Sequence, residues 1–112
     1  MHIQLIDADR QGEARLNAVF AERASRALDR MAPNIRRVLA RFRDVNGPKG
    51  GMDRTLTVEV ALRDGRILRA KAVAAEIMAA IDAALAKLVR RLADEHKRRL
   101  RHRRVSERIS FA

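Results

Sequence analysis

The chain has 112 residues, no cysteine, 47% hydrophobic and 35% charged residues, and a formal charge of +11 at pH 7. That length supports one modest core, and the missing cysteines exclude disulfides, thiolate catalysis and Cys-ligated zinc. So much positive charge on so small a domain points to a polyanionic partner, nucleic acid first and an anionic membrane surface second.

Residues 2–6 alternate as a short edge strand, and Asp7, Ala8 and Asp9 supply cap and turn residues. Residues 11–31 follow a helical period, with Leu16, Val19, Phe20, Ala24, Ala27, Leu28 and Met31 on one face. Pro33 ends that helix, because the residue before a proline avoids the α region. Residues 35–45 alternate as a strand, with Val38, Ala40 and Phe42 to one side and Arg37, Arg41 and Arg43 to the other. The run N-G-P-K-G-G-M-D that follows is dense in turn residues and reads as a long hairpin loop. Residues 54–63 are the clearest strand: Leu56, Val58, Val60 and Leu62 face inward, and Thr55, Thr57 and Glu59 outward. Asp64 and Gly65 predict a two-residue hairpin turn. Residues 66–74 return as a strand with Leu68, Ala70 and Ala72 inward and Arg69 and Lys71 outward.

The last helix opens over residues 75–92. Ile77, Ile81, Leu85, Leu88 and Leu92 make its apolar stripe, and Met78 and Val89 widen it. The helical pattern then continues while the stripe stops: Glu95, Arg99 and Arg103 occupy nearly the same line. Residues 87–104 hold nine Lys and Arg against two acids, which is +7 of the total +11. A helix that buries one face up to Leu92 and then turns polar should project from its domain.

The order β-α-β-β-β-α therefore predicts an α+β two-layer sandwich. A four-stranded sheet carries both helices on one face, much as a double-stranded-RNA-binding domain does with one strand fewer. Residues 1–104 form a single domain, and residues 105–112 lose the pattern and remain as a tail, disordered unless it docks. The N-terminus is too short and acidic for a signal peptide, and no apolar run approaches the length of a membrane span. A soluble cytoplasmic protein is expected.

Lys87, Arg90, Arg91, Lys97, Arg98 and Arg101 on the final helix are the first candidates for phosphate contacts. Cations ordinarily make a solvated face or offset the helix dipole, but two or three suffice for that. Arg37, Arg41, Arg69 and Lys71 on the open sheet face are the second set, against the plain reading of arginine as cover for an exposed sheet. Gly47 and Gly50 match the G-x-x-G of a KH domain, yet that loop joins two helices, and here both flanks read as strands. His2, His96 and His102 are too scattered for a metal site, and the aspartates fall at predicted turns. No catalytic constellation is visible, so neither an enzyme, a cofactor nor a small-molecule substrate is expected. With three aromatics in the chain, a base-stacking platform is improbable, which leaves recognition of phosphate and shape.

The run I-M-A-A-I-D-A-A-L-A-K-L-V-R-R-L resembles the final-helix signature of the ribosome hibernation promoting factors, also called ribosome-associated inhibitor A or the sigma-54 modulation protein family. Ala79, Ala80, Ile81, Asp82, Lys87, Leu88, Arg90 and Leu92 fit it position by position, and the element order agrees over residues 2–101. Met78 stands where the family has tyrosine, Ala86 where it has a second aspartate, and Arg91 where it has glutamine. The run D-V-N-G-P-K-G-G-M-D is similar to a loop of a divergent short branch. The resemblance implies a stress-response factor that binds the small ribosomal subunit, in the channel for mRNA and tRNA anticodons, and blocks translation. Lys87, Arg90 and the basic run from Lys97 would then contact ribosomal RNA. The separate dimerisation domain of long family members has no counterpart here. The alternatives are a protein-interaction regulator of the sigma-factor modulation type and a general double-stranded RNA binder.

Overall fold

A computed structural model describes the backbone of residues 1–7, 13–46 and 52–110, and side chains at 1–6, 15–43, 54–98, 100 and 101. The elements are β1 (His2–Asp7), α1 (Glu13–Ala27), a 3-10 turn (Asp29–Asn34), β2 (Ile35–Asn46), β3 (Met52–Leu62), β4 (Ile67–Ala74) and α2 (Ile77–Ser110). The four strands form one sheet in the order β1-β2-β3-β4. β1 runs parallel to β2, and β2-β3 and β3-β4 are antiparallel. The α+β class and the β-α-β-β-β-α order are those expected.

Period-two alternation explains how the sheet divides its side chains. Val38, Ala40, Phe42, Leu56, Val58, Val60, Ala70 and Ala72 are buried on one face. Both helices cover that face: Phe20, Ala24 and Leu28 come from α1, and Ala80, Ile81, Ala84, Leu85, Leu88 and Leu92 from α2, in one continuous core. Ile77, Met78 and Val89 pack at its margin. Ile35 and Val38 are both buried although three residues apart; a register irregularity between Ile35 and Arg37 absorbs the odd residue, Arg36.

Four details differ from the sequence expectations. The first helix is α-helical only to Ala27, which is exposed; Leu28 leaves helical geometry (φ −103°, ψ 8°), and the 3-10 turn carries the chain through Pro33. Met31 donates to the Leu28 carbonyl three residues back, so its side chain reaches the core margin from that tighter turn. The third strand extends from Met52 to Leu62 and the fourth starts at Ile67, so Arg63 falls within the turn and Arg66 directly after it. That turn has three residues: Leu62 N–H donates to the Arg66 carbonyl and Gly65 N–H to the Leu62 carbonyl. Gly65 takes φ +95°, the left-handed position that a three-residue hairpin assigns to glycine. Asp64 Oδ1 accepts the Arg66 N–H at 3.0 Å and steadies the turn.

The final helix is longer than the pattern indicated. It runs through Ser110, into the residues separated above as a tail from 105. The loop with Gly47 and Gly50 lies outside the described residues, as do the side chains of Arg99 and Arg103.

Candidate nucleic-acid interface

On the open sheet face, strand register lays the polar residues in rows. Leu39, Glu59 and Arg69 align across β2, β3 and β4, and Arg41, Thr57 and Lys71 form the next row. Arg37 lies on the other side of the Leu39 row, opposite Ala61 and Ile67. Arg37, Arg41, Arg43, Arg69 and Lys71 are all exposed. Arg69 Nε binds Glu59 Oε1 at 2.7 Å, so one carboxylate partly offsets this face. Arg41 and Lys71 flank Thr57 from neighbouring strands, with about 10 Å between the outer two strand axes. Two cations at that spacing can bracket a run of phosphates, and a depression lined by Leu39, Arg41, Thr57, Glu59 and Arg69 lies beside them.

The cations of α2 do not form one surface. At 100° per residue, the helix sends its basic side chains in different directions. Lys87 and Arg91 point to the outer edge of β4: Lys87 Nζ donates to the Lys71 carbonyl at 2.7 Å, and Arg91 Nη1 donates to the Arg69 carbonyl. Arg90 lies on the other flank, at the rim of a trough between the helices floored by Val19, Met78, Leu85 and Val89. Across that trough Arg23 Nη1 meets Asp82 Oδ1 at 2.6 Å and ties α1 to α2. Lys97, Arg98 and Arg101 are exposed further along.

The apolar stripe of α2 ends at Leu92, which predicts the end of its docked part there. The helix keeps contact with the body for another turn. Glu95, half-buried on the line of the apolar stripe, accepts Arg66 Nη1 from the β3-β4 turn and lies 3.7 Å from Arg98. His96 and Lys97 line a pocket with Arg30, Met31, Asn34 and Leu62. Only after Lys97 does the helix leave the body, and Leu100 is exposed.

The structure therefore brings Arg41, Lys71 and Arg69 together on the sheet, and joins Lys87 and Arg91 to their margin. It keeps Arg90 apart. The sequence reading missed the ties made by Arg23, Arg54 and Arg66. Arg54 Nη1 donates to the Ala75 carbonyl at 2.9 Å, where β4 passes into α2. Each joins residues at least 21 positions apart, and nothing in local periodicity signals such a pair. Among the described residues no three His, Asp or Glu side chains converge as a metal site would require. No described helix is long and apolar enough to cross a membrane.

Comparison with known proteins matches this arrangement to a family. No curated protein sequence matches the chain. In structure it is similar to a ribosomal subunit interface protein from Coxiella burnetii, with TM-score 0.67 and 20% identity over 87% of this chain and 99% of that one. It is also similar to the N-terminal domain of Protein Y from Thermus thermophilus, with TM-score 0.59 and 20% identity over 81% of this chain and 94% of that one. Identities this low establish the shared fold. Residues 14–101 match the family described as sigma 54 modulation protein / S30EA ribosomal protein, which spans most of the folded body and the whole final-helix signature. The chain belongs to that family, the one its final-helix sequence resembles.

Proposed function

We propose that this protein is a non-enzymatic ribosome-associated hibernation factor. It binds ribosomal RNA of the small subunit near the mRNA and tRNA channel and inhibits translation there. The observation that carries the reading is family membership over residues 14–101, joined to a +11 charge displayed on an open sheet face and a helical extension. Arg37, Arg41, Arg69 and Lys71 on the sheet and Lys97, Arg98 and Arg101 on the extension are the contacts to phosphate. Among the described residues the face they occupy has no aromatic platform: Phe20 and Phe42 are buried in the core. Recognition therefore rests on backbone charge and RNA shape.

Co-sedimentation from starved cells at moderate salt tests the proposal. The protein should travel with small subunits and monosomes, and brief nuclease treatment that degrades accessible RNA should release it. Migration only with soluble protein, unaltered by nuclease, would favour a regulator that binds an acidic protein instead.

A further inference from the structure

Lys87 and Arg91 sit four residues apart on α2, and the carbonyls they reach, those of Lys71 and Arg69, sit two residues apart on β4. Four helical residues rise about 6 Å, and two strand residues rise about 6.6 Å. The two repeats match, so an antiparallel helix can meet alternate main-chain groups of a strand rung by rung. One turn further along the same line, Glu95, four residues beyond Arg91, accepts the Arg66 side chain just before the start of β4, a contact between side chains that holds the helix to the turn. At the other end Arg54 holds the Ala75 carbonyl, where β4 turns into α2. β4 is an outer strand of the sheet, so alternate carbonyls have no neighbouring strand to bond them. A lysine and an arginine fill that need and blunt the edge against pairing with another chain.

We infer that Lys87 and Arg91 are positioning residues: they lock α2 along the edge of β4 and so set the direction in which the basic extension beyond Lys97 leaves the body. This rests on the ribosome-binding reading for its consequence, but not for its geometry. It reverses the role that resemblance alone gave Lys87. A side chain already donating to the main chain is held at the strand edge and keeps only its remaining donors for phosphate, whereas among the described residues Lys97 and Arg101 make no such bond and are free to turn towards phosphate. The phosphate contacts of the helix then begin at Lys97, and the rungs below hold them in line with Arg41 and Lys71 on the sheet.

The chain has no cysteine, so a spin-label pair can be placed without background. Labels at Ser25→Cys on α1 and Leu100→Cys on the extension, both exposed sites, report the direction of the helix through their distance distribution. In the Lys87→Met/Arg91→Met variant the distribution should at least double in width, and Lys87→Arg alone should leave it narrow, because a guanidinium also donates to a carbonyl. With small ribosomal subunits the same double variant should bind more weakly, by about tenfold. Its slope of log affinity against log salt should stay that of the parent, because the count of phosphate contacts is unchanged. An unchanged width overturns the inference, and so does a slope shallower by about two, the mark of two lost phosphate contacts. If the double variant does not fold, Lys87→Gln and Arg91→Gln singly must each broaden the distribution. The distance measurement uses the free protein, so it stands even if the parent chain fails to bind subunits, a result that would count against the ribosome-binding reading alone.

Discussion

Asp82 illustrates how a side chain's role depends on a partner that local sequence does not name. It fits the family's helix signature, and its position on α2 is evident from the period of the apolar stripe. Its partner, Arg23, lies 59 residues earlier on α1. Both side chains are well exposed, at 60% and 42%, so water screens the pair. Asp82→Asn should therefore cost less than about 1 kcal/mol in denaturant unfolding. Leu88, fully buried among the strands and both helices, is the contrasting case. Leu88→Ala leaves a cavity and should cost about 2–5 kcal/mol by the same measurement. Gly65 has open space around its α-carbon, so the effect of Gly65→Ala is conformational alone. Forcing φ +95° on a residue with a β-carbon should lower stability by about 1 kcal/mol.

The strands were the most legible elements. Residues such as Val58, Val60, Arg41 and Lys71 alternate without interruption, and alternation fixes which face each one takes. The apolar stripe of α2 was equally plain up to Leu92. What periodicity could not locate was the place where α1 tightens into a 3-10 turn, because Met31 keeps its side chain near the core in either geometry. It also missed the third residue of the β3-β4 turn, since Asp-Gly suits both a two-residue and a three-residue hairpin. Nor could it place the end of the docked part of α2. Glu95 breaks the apolar stripe yet still binds the body, through an arginine that a hairpin turn delivers from β3-β4. Truncation after Lys97 should thus leave the body folded, with its unfolding free energy within about 1 kcal/mol of the full chain, because none of the described residues it removes is buried. The same truncation should weaken binding to small subunits markedly, since Arg98 and Arg101 go with it.

At the scale of the molecule, a domain 63 Å long and only 29 by 19 Å across carries its excess charge on one sheet face and along one extending helix. The open face was legible in the sequence because arginine and lysine alternate with core residues along β2 and β4. The division of labour among the α2 cations was not, because whether a lysine meets water, phosphate or a carbonyl depends on the strand lying beside it. Charge displayed this way makes association a matter of counterion release, so affinity should fall linearly with salt on logarithmic axes. Replacing Lys97, Arg98 and Arg101 together by Gln should make that line shallower by about two to three, while circular dichroism of the body stays unchanged. The most direct measurement is equilibrium binding of the purified chain to purified small ribosomal subunits from about 50 to about 200 mM salt, with a bare RNA duplex as competitor. A phosphate-reading surface specific for the folded ribosomal RNA predicts tight binding at the low end, a steep linear loss towards the high end, and little displacement by the duplex. Absence of binding at about 50 mM salt, or displacement by the duplex as effective as by unlabelled subunits, would contradict it.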